Sequence, residues 1–295
     1  MNVLLASASA NQSYSSMVTS LTVAIPVLNE ESNLANCIHG VGSRLATNIV
    51  VIDSGSTDGT VRVARELGAQ VIHFDWNGHF PKKRNWYLRN HTPNTEWVLF
   101  LDADELLNEA VREEISKSIA GSKHQGFLLS YTNYFLGRRL KGGYPLRKLA
   151  LFRVGEVEYE HINEENWSSC DMEVHEHPIV NGTIGLIRNR IDHRDLRGLD
   201  SYMSKHNQYA AWEARRLFSM RQCQENGEPS LTKQIKYSII SSPWGGLAFF
   251  LGSYLLMGGW RDGSVGFAFC MLKAGYFVQI ACRLRELESQ THMEK

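Results

Sequence analysis

Three things are scarce in this sequence, and each scarcity removes a class of protein. There is no excess of charge: 31 Lys and Arg residues meet 31 Asp and Glu, for a net charge of zero. Nucleic-acid binders carry a basic surplus, so that partner is not expected. Cysteine is sparse, and Cys37, Cys170, Cys223, Cys270 and Cys282 are scattered and odd in number. They show neither metal-ligand spacing nor a disulfide framework, and a reducing cytosol fits them best. A basic leader is also missing. Residues 1–17 hold no Lys or Arg and no long apolar centre, so no secretory signal is read there. Met17 is an alternative start, and residues 1–19 are expected to be a disordered segment.

What is present is an ordinary globular composition, 43% hydrophobic over 295 residues, enough for one large domain and an appendage. The stretch that organises it is Trp97–Glu105, WVLFLDADE. Its apolar half reads as a buried strand. Asp102 and Asp104 then leave the strand's C-terminal end, the edge at which open α/β sheets bind ligands. Two carboxylates so close are costly unless something positive lies between them. A divalent cation carrying phosphate oxygens would serve, because hard cations take oxygen ligands. The plainer reading is the N-terminal cap of a helix over Leu106–Ala120.

Upstream, strands alternate with helices. Leu21–Ile25 is a strand ended by Pro26, and Asn29–Asn33 opens a helix running to about His39. Ile49–Ile52 is a second strand ending on Asp53; Thr60–Leu67 is a helix and Ala69–His73 a third strand. Residues 81–90 are helical after their first turn. This alternation predicts a parallel sheet with crossover helices. Three strand ends then carry polar groups that line one crevice. Asp53 could accept from a base N–H, Glu30 from a ribose hydroxyl, and Asp104 could hold a metal on a diphosphate. Taken singly, Asn29 and Asp53 also suit turns and Asp58 a cap.

Thr22–Glu31 (TVAIPVLNEE), Ile49–Thr60 (IVVIDSGSTDGT), Lys83–Asn85 (KRN) and Trp97–Glu105 together resemble the family 2 glycosyltransferases. The later segments resemble the small bacterial enzymes that glycosylate lipopolysaccharide cores or other surface polysaccharides. The resemblance implies a GT-A fold with a Rossmann-like nucleotide-binding sheet, a nucleotide-sugar donor, a divalent cation (manganese or magnesium) and inversion at the anomeric carbon. By position, Pro26, Asn29, Glu30, Asp53 and Arg84 match donor-binding residues. Asp102 matches the residue near ribose and metal, and Asp104 the metal ligand. Asp53 suits the N–H of uracil, so uridine diphosphate is the expected carrier, with guanosine and thymidine carriers as alternatives.

Further along, Gly137–Gly143 carries Arg138, Arg139 and Lys141, and Arg147, Lys148 and Arg153 follow. These could bind phosphate on donor or acceptor, or form a solvated loop. An inverting transfer needs a general base for the acceptor hydroxyl. Glu173-Val174-His175-Glu176-His177 resembles the corresponding block of the polysaccharide-glycosylating relatives. Glu176 is assigned as base, with Glu173 the fallback. On a strand these two face opposite ways, and the sequence leaves the choice open. A zinc site on His175 and His177 lacks a third ligand by spacing. His193 matches a family position that approaches the metal or diphosphate; a surface histidine is the alternative.

Leu199–Arg221 reads as a long amphipathic helix whose main role is packing on the catalytic domain, with Lys205 able to reach the site rim. Residues 243–259 then run for 17 positions without charge, five of them glycine. Ser264–Cys282 is apolar again except for Lys273. Basic residues flank the pair, as in a shallow hairpin or interfacial helices with cytoplasmic ends; a buried helical pair is the rival. The expected division is therefore a disordered segment (1–19), a GT-A catalytic domain (20–198) and a helical, membrane-associating region (199–295). The expected setting is cytoplasmic, peripheral on the inner face of the cell membrane. The expected acceptor is a saccharide or lipid-linked one. Two other classes are the alternatives: an aspartyl-nucleophile phosphatase, in which Leu106 would stand where a threonine belongs, and a membrane-docked carbohydrate-binding protein without activity.

Overall fold

The computed structural model describes residues 20–162, 164, 170–171, 177–222, 238–242 and 244–293. In chain order the elements are β1 (Leu21–Val27), α1 (Glu31–Val41), β2 (Asn48–Asp53), α2 (Thr60–Glu66), β3 (Gln70–His73), α3 (Lys83–Asn90) and β4 (Trp97–Phe100). There follow β5 (Glu105–Leu106), α4 (Glu109–Ile119), β6 (Gly126–Phe135), β7 (Arg138–Arg139), β8 (Arg147–Arg153), β9 (Val157–Tyr159), β10 (Pro178–Val180) and β11 (Ile184–His193). The last helices are α5 (Gly198–Gln222), α6 (Gly245–Leu251) and α7 (Gly263–Met293). Among the described residues, the main sheet runs β3-β2-β1-β4-β8-β6-β11-β5, with β7 paired to β6.

The first four strands in that order are parallel neighbours, as the strand–helix alternation predicts. The alternating side chains of β1 and β4 serve both faces of the sheet. Leu21, Val23, Ile25, Trp97 and Leu99 join Leu34 and Val41 of α1 and Val111 and Ile115 of α4 in one core. Ala24, Val98 and Phe100 turn to the other face, with Tyr87 of α3 and Tyr159 of β9. Covered on both sides, the sheet projects ligands only from its edges.

Two boundaries differ from those read in the sequence. Pro26 lies inside β1, opposite Ile52. The β1–β4 ladder closes with the Leu101 N–H donating to the Ala24 carbonyl. Alternation points the Pro26 nitrogen toward β4 but beyond that last bond, where no donor is needed. Second, the helix starts at Glu109, capped by Asn108 whose side chain accepts from the Val111 N–H. Glu105 and Leu106 pair with His193 and Asp192 instead. The acidic stretch is therefore not a helix cap.

The C-terminal helices pack on this body. Ala210, Ala214 and Leu217 of α5 bury against Ile280 and Leu284 of α7. Phe269 and Cys270 of α7 bury against Phe135 and Leu140 at the end of the sheet. The opposite face of α7 leaves Phe267, Met271 and Val278 exposed. Residues 259–291 are long and apolar enough to cross a membrane by length and composition.

Candidate active site

The site is assembled at the C-terminal edge of β2, β1 and β4. Asp53, which ends β2, is buried and folds the following turn around its carboxylate. It accepts from the N–H of Gly55 at 3.0 Å and from the Ser56 hydroxyl at 2.5 Å. Beyond β1, Asn29 takes a left-handed backbone conformation (φ 55°), which asparagine tolerates better than most residues. Its Oδ1 accepts from the Thr57 N–H at 2.8 Å, tying the end of β1 to the turn after β2. Glu30 accepts from Asn33 at 2.8 Å and pairs with Arg197 at 2.7 Å.

The acidic pair after β4 is more elaborate than the sequence foretold. Asp102 receives Arg84 Nη2 on Oδ1 at 2.8 Å and Lys148 Nζ on Oδ2 at 2.7 Å. Lys148 also meets Glu105 at 2.5 Å. Burial on its own would raise the Asp102 pKa, but Lys148 and Arg84 outweigh it and hold the carboxyl well below the usual range. Asp104 turns the other way, its Oδ2 lying 3.3 Å from His193 Nε2. Burial again acts upward, and His193, with Lys205 behind it, brings the net shift down. For Glu105 burial prevails and the pKa is raised.

Pro26, Asn29, Glu30, Asp53, Arg84, Asp102, Asp104 and His193 lie along one sheet edge, at or beside the ends of β1, β2, β4 and β11. Lys205 of α5 acts electrostatically on Asp102 and Asp104. Glu173 and Glu176, with His175, lie outside the described residues. Arg153 is not at the site. It faces Trp97 at the far end of β4 and pairs with Glu96, so it cannot serve a phosphate there.

The sequence reading missed Glu105 and Arg197, and it undervalued Lys148. Glu105 stands inside the acidic motif, and its pairing with a distant strand was the unseen element. Arg197 carried no motif signal. Asp171 was missed, and Lys83 stood in a motif without a role: Lys83 Nζ bonds the Val27 carbonyl at 3.0 Å and Asp171 at 2.9 Å, and Asp171 also receives the Ser54 hydroxyl. These links fasten α3 to the ends of β1 and β2.

Asp104 and His193 form a donor set of one carboxylate and one imidazole. That set fits a magnesium or manganese ion which keeps its remaining positions for phosphate oxygens and water, as such ions do when they arrive with substrate. Among the described residues no group of three or more His, Cys, Asp or Glu is placed to hold a metal by itself.

Residues 22–167 match the family described as Glycosyl transferase family 2. The chain belongs to that family. The glycosyltransferase is 27% identical over 277 residues to the lipopolysaccharide core biosynthesis glycosyltransferase LpsC of Rhizobium meliloti, covering 90% of this chain and 91% of LpsC. It is 28% identical over 262 residues to an uncharacterized glycosyltransferase of Rickettsia conorii, covering 86% and 88% of the two chains. Among solved structures it is similar to residues 1–349 of S. aureus TarS, with a TM-score of 0.43 and 14% identity, over 94% of this chain and 92% of that one. Family membership displaces the phosphatase reading. The geometry agrees, since both Asp102 oxygens are occupied by cations and a nucleophile needs one free.

Proposed function

We propose that this glycosyltransferase moves a sugar, with inversion, from a uridine-diphosphate donor to a hydroxyl of a lipopolysaccharide-core, lipid-linked or surface-polysaccharide acceptor. The observation that carries the reading is the meeting of Glu30, Asp53, Arg84, Asp102, Asp104 and His193 on one edge of the sheet. The likeness to LpsC along nearly its whole length favours an acceptor of the lipopolysaccharide-core type.

In this reading the Asp53 turn receives the base, and Glu30 and Asp102 lie where ribose hydroxyls can donate. Arg84 is held by Asp102 beside the diphosphate. Asp104 and His193 would hold a divalent cation, which when bound offsets diphosphate charge as the nucleoside diphosphate departs. Lys205 adds positive potential from the acceptor side. Glu176 takes the acceptor proton, with Glu173 as the alternative base. The exposed apolar face of α6 and α7 rests on the cytoplasmic surface of the membrane, which brings a lipid-borne acceptor to the site.

The test is Asp104→Asn, assayed with a panel of nucleotide sugars and manganese. Transfer and donor hydrolysis are expected to fall by at least a thousandfold, while the melting temperature stays within a few degrees. Wild-type rates from that variant would remove Asp104 from the metal role.

A further inference from the structure

The connection between β6 and β8 and the turn between α6 and α7 meet at a cleft that the sugar-transfer site does not use. A cavity of about 520 Å³ lies there, lined by Arg138, Arg139, Lys141 and Arg261 together with Asp262. The four cations are exposed. Among the described residues none of them forms an ion pair with a carboxylate. The acid in their midst is already engaged: Asp262 accepts from the backbone N–H of Lys141 at 2.9 Å and of Gly142 at 3.0 Å. The Gly143 N–H donates to the Met257 carbonyl at 3.0 Å. A Cβ at Gly142 would lie 2.2 Å from the Gly258 carbonyl oxygen, so the two segments touch backbone to backbone.

That junction places the cations beside an exposed apolar surface. Leu256, in the same turn, is 89% exposed, and Trp244 and Trp260 are 72% and 58% exposed. Leu251 and Leu255 extend the patch along α6 and the turn after it. A monomer in water gains nothing from such a patch. Tryptophans at its margin and a cluster of guanidinium groups beside it match the layering of a bilayer, with acyl chains, an interfacial belt and then phosphate. Guanidinium is the side chain suited to bidentate phosphate contact.

We propose that the cleft of Arg138, Arg139, Lys141 and Arg261 is a binding site for the anionic headgroup of a membrane phospholipid, engaged while the Leu256–Trp260 turn enters the interface. The site rests on the membrane-facing part of the proposed function and adds a requirement for negative lipid. Asp262 holds the two halves of the site in register, and the carboxylates of the sugar-transfer centre take no part in it.

The full-length protein is sedimented with vesicles of pure phosphatidylcholine and with vesicles containing one-quarter phosphatidylglycerol. The wild type is expected to bind the anionic vesicles at least about a hundredfold more tightly. Basic residues near such a surface act roughly additively, so replacing all four with glutamine costs on the order of a hundredfold on anionic vesicles. The variant should bind phosphatidylcholine as the wild type does, with a melting temperature no lower than that of the wild type. Should the quadruple variant fail to fold, Arg138→Gln with Arg139→Gln, both on an exposed two-residue strand, gives the same comparison at about tenfold or more. Equal wild-type affinity for the two vesicles, or a folded variant that keeps the anionic preference, overturns the headgroup site alone. Leu256→Ser with Trp260→Ser tests the membrane reading separately. Sedimentation of that double variant equal to wild type, or of the wild type with neither vesicle, overturns both.

Discussion

Lys148 is the residue on which the acidic centre most depends. It is the shared partner of the Asp102 and Glu105 carboxylates, which one tight turn holds together: Glu105 Oε2 accepts from the Asp102 N–H, and the Asp102 backbone carbonyl accepts from the Glu105 N–H. Removing one member of such a cluster leaves like charges facing each other with little water to separate them. Lys148→Met is therefore expected to lower stability by about 2–3 kcal/mol in urea unfolding, at and below the lower end of the range for breaking a buried pair because the lysine is partly exposed. Adding Glu105→Gln should restore a good part of that loss, the sign of a coupled pair. At this scale the sequence was legible where a motif was continuous. Asp53, Asp102 and Asp104 follow apolar runs whose strand ends are easy to read. Lys148 sits in a run of basic residues from which nothing singles it out. Its partners lie more than 40 positions away and become its neighbours only because β8 pairs with β4 on one side and β6 on the other.

Between elements, the seam of α5 and α7 shows a different chemistry. His206 Nδ1 donates to the Tyr202 carbonyl at 2.9 Å, which leaves Nε2 to accept from the Lys273 ammonium at 3.0 Å. Burial first, and then the Lys273 charge, bring the His206 pKa down to about 4. Tyr202, Tyr209 and Tyr276 ring the imidazole, and the positive groups acting on it are Lys273, Lys205 and His193. An unfolded histidine titrates near 6.5. Between those values the unfolded chain takes up the proton that the folded seam refuses, so stability is full above about pH 6.5 and declines as pH falls toward 4. His206→Asn should flatten this: on going from pH 7 to pH 4.5 the melting temperature of the variant should drop less than that of the wild type. A parallel drop in both would assign the acid sensitivity to other groups. The helical period announced α5 almost to the residue, Leu199–Arg221 expected against Gly198–Gln222 observed. It could not announce that the lone lysine of the apolar tail turns inward onto a histidine. That depends on the azimuth of α7, which one helix's sequence does not contain.

For the molecule as a whole, the parallel half of the sheet was readable because each crossover helix is punctuated by glycine, proline or a capping residue. The half built from β5, β6, β8 and β11 was less so. Its strands come from remote segments, and a two-residue strand such as β5 leaves no period to detect. The zero net charge was legible and excluded one class of partner, yet it conceals an uneven distribution. Among the described residues, many charges pair with an opposite neighbour, whereas Arg138, Arg139, Lys141 and Arg261 crowd one corner where Asp262 gives its oxygens to backbone amides. Crowded like charges work against the folded state when salt is low. Neutralising one of them with Arg139→Gln should therefore raise the melting temperature by roughly 1 °C in dilute buffer and leave it unchanged in molar salt, since a few tenths of a kcal/mol correspond to about that shift. A corner that folds more comfortably without its own arginine has kept a small, standing instability in the lone protein, and whatever quiets that repulsion from outside will tighten the fold as it binds.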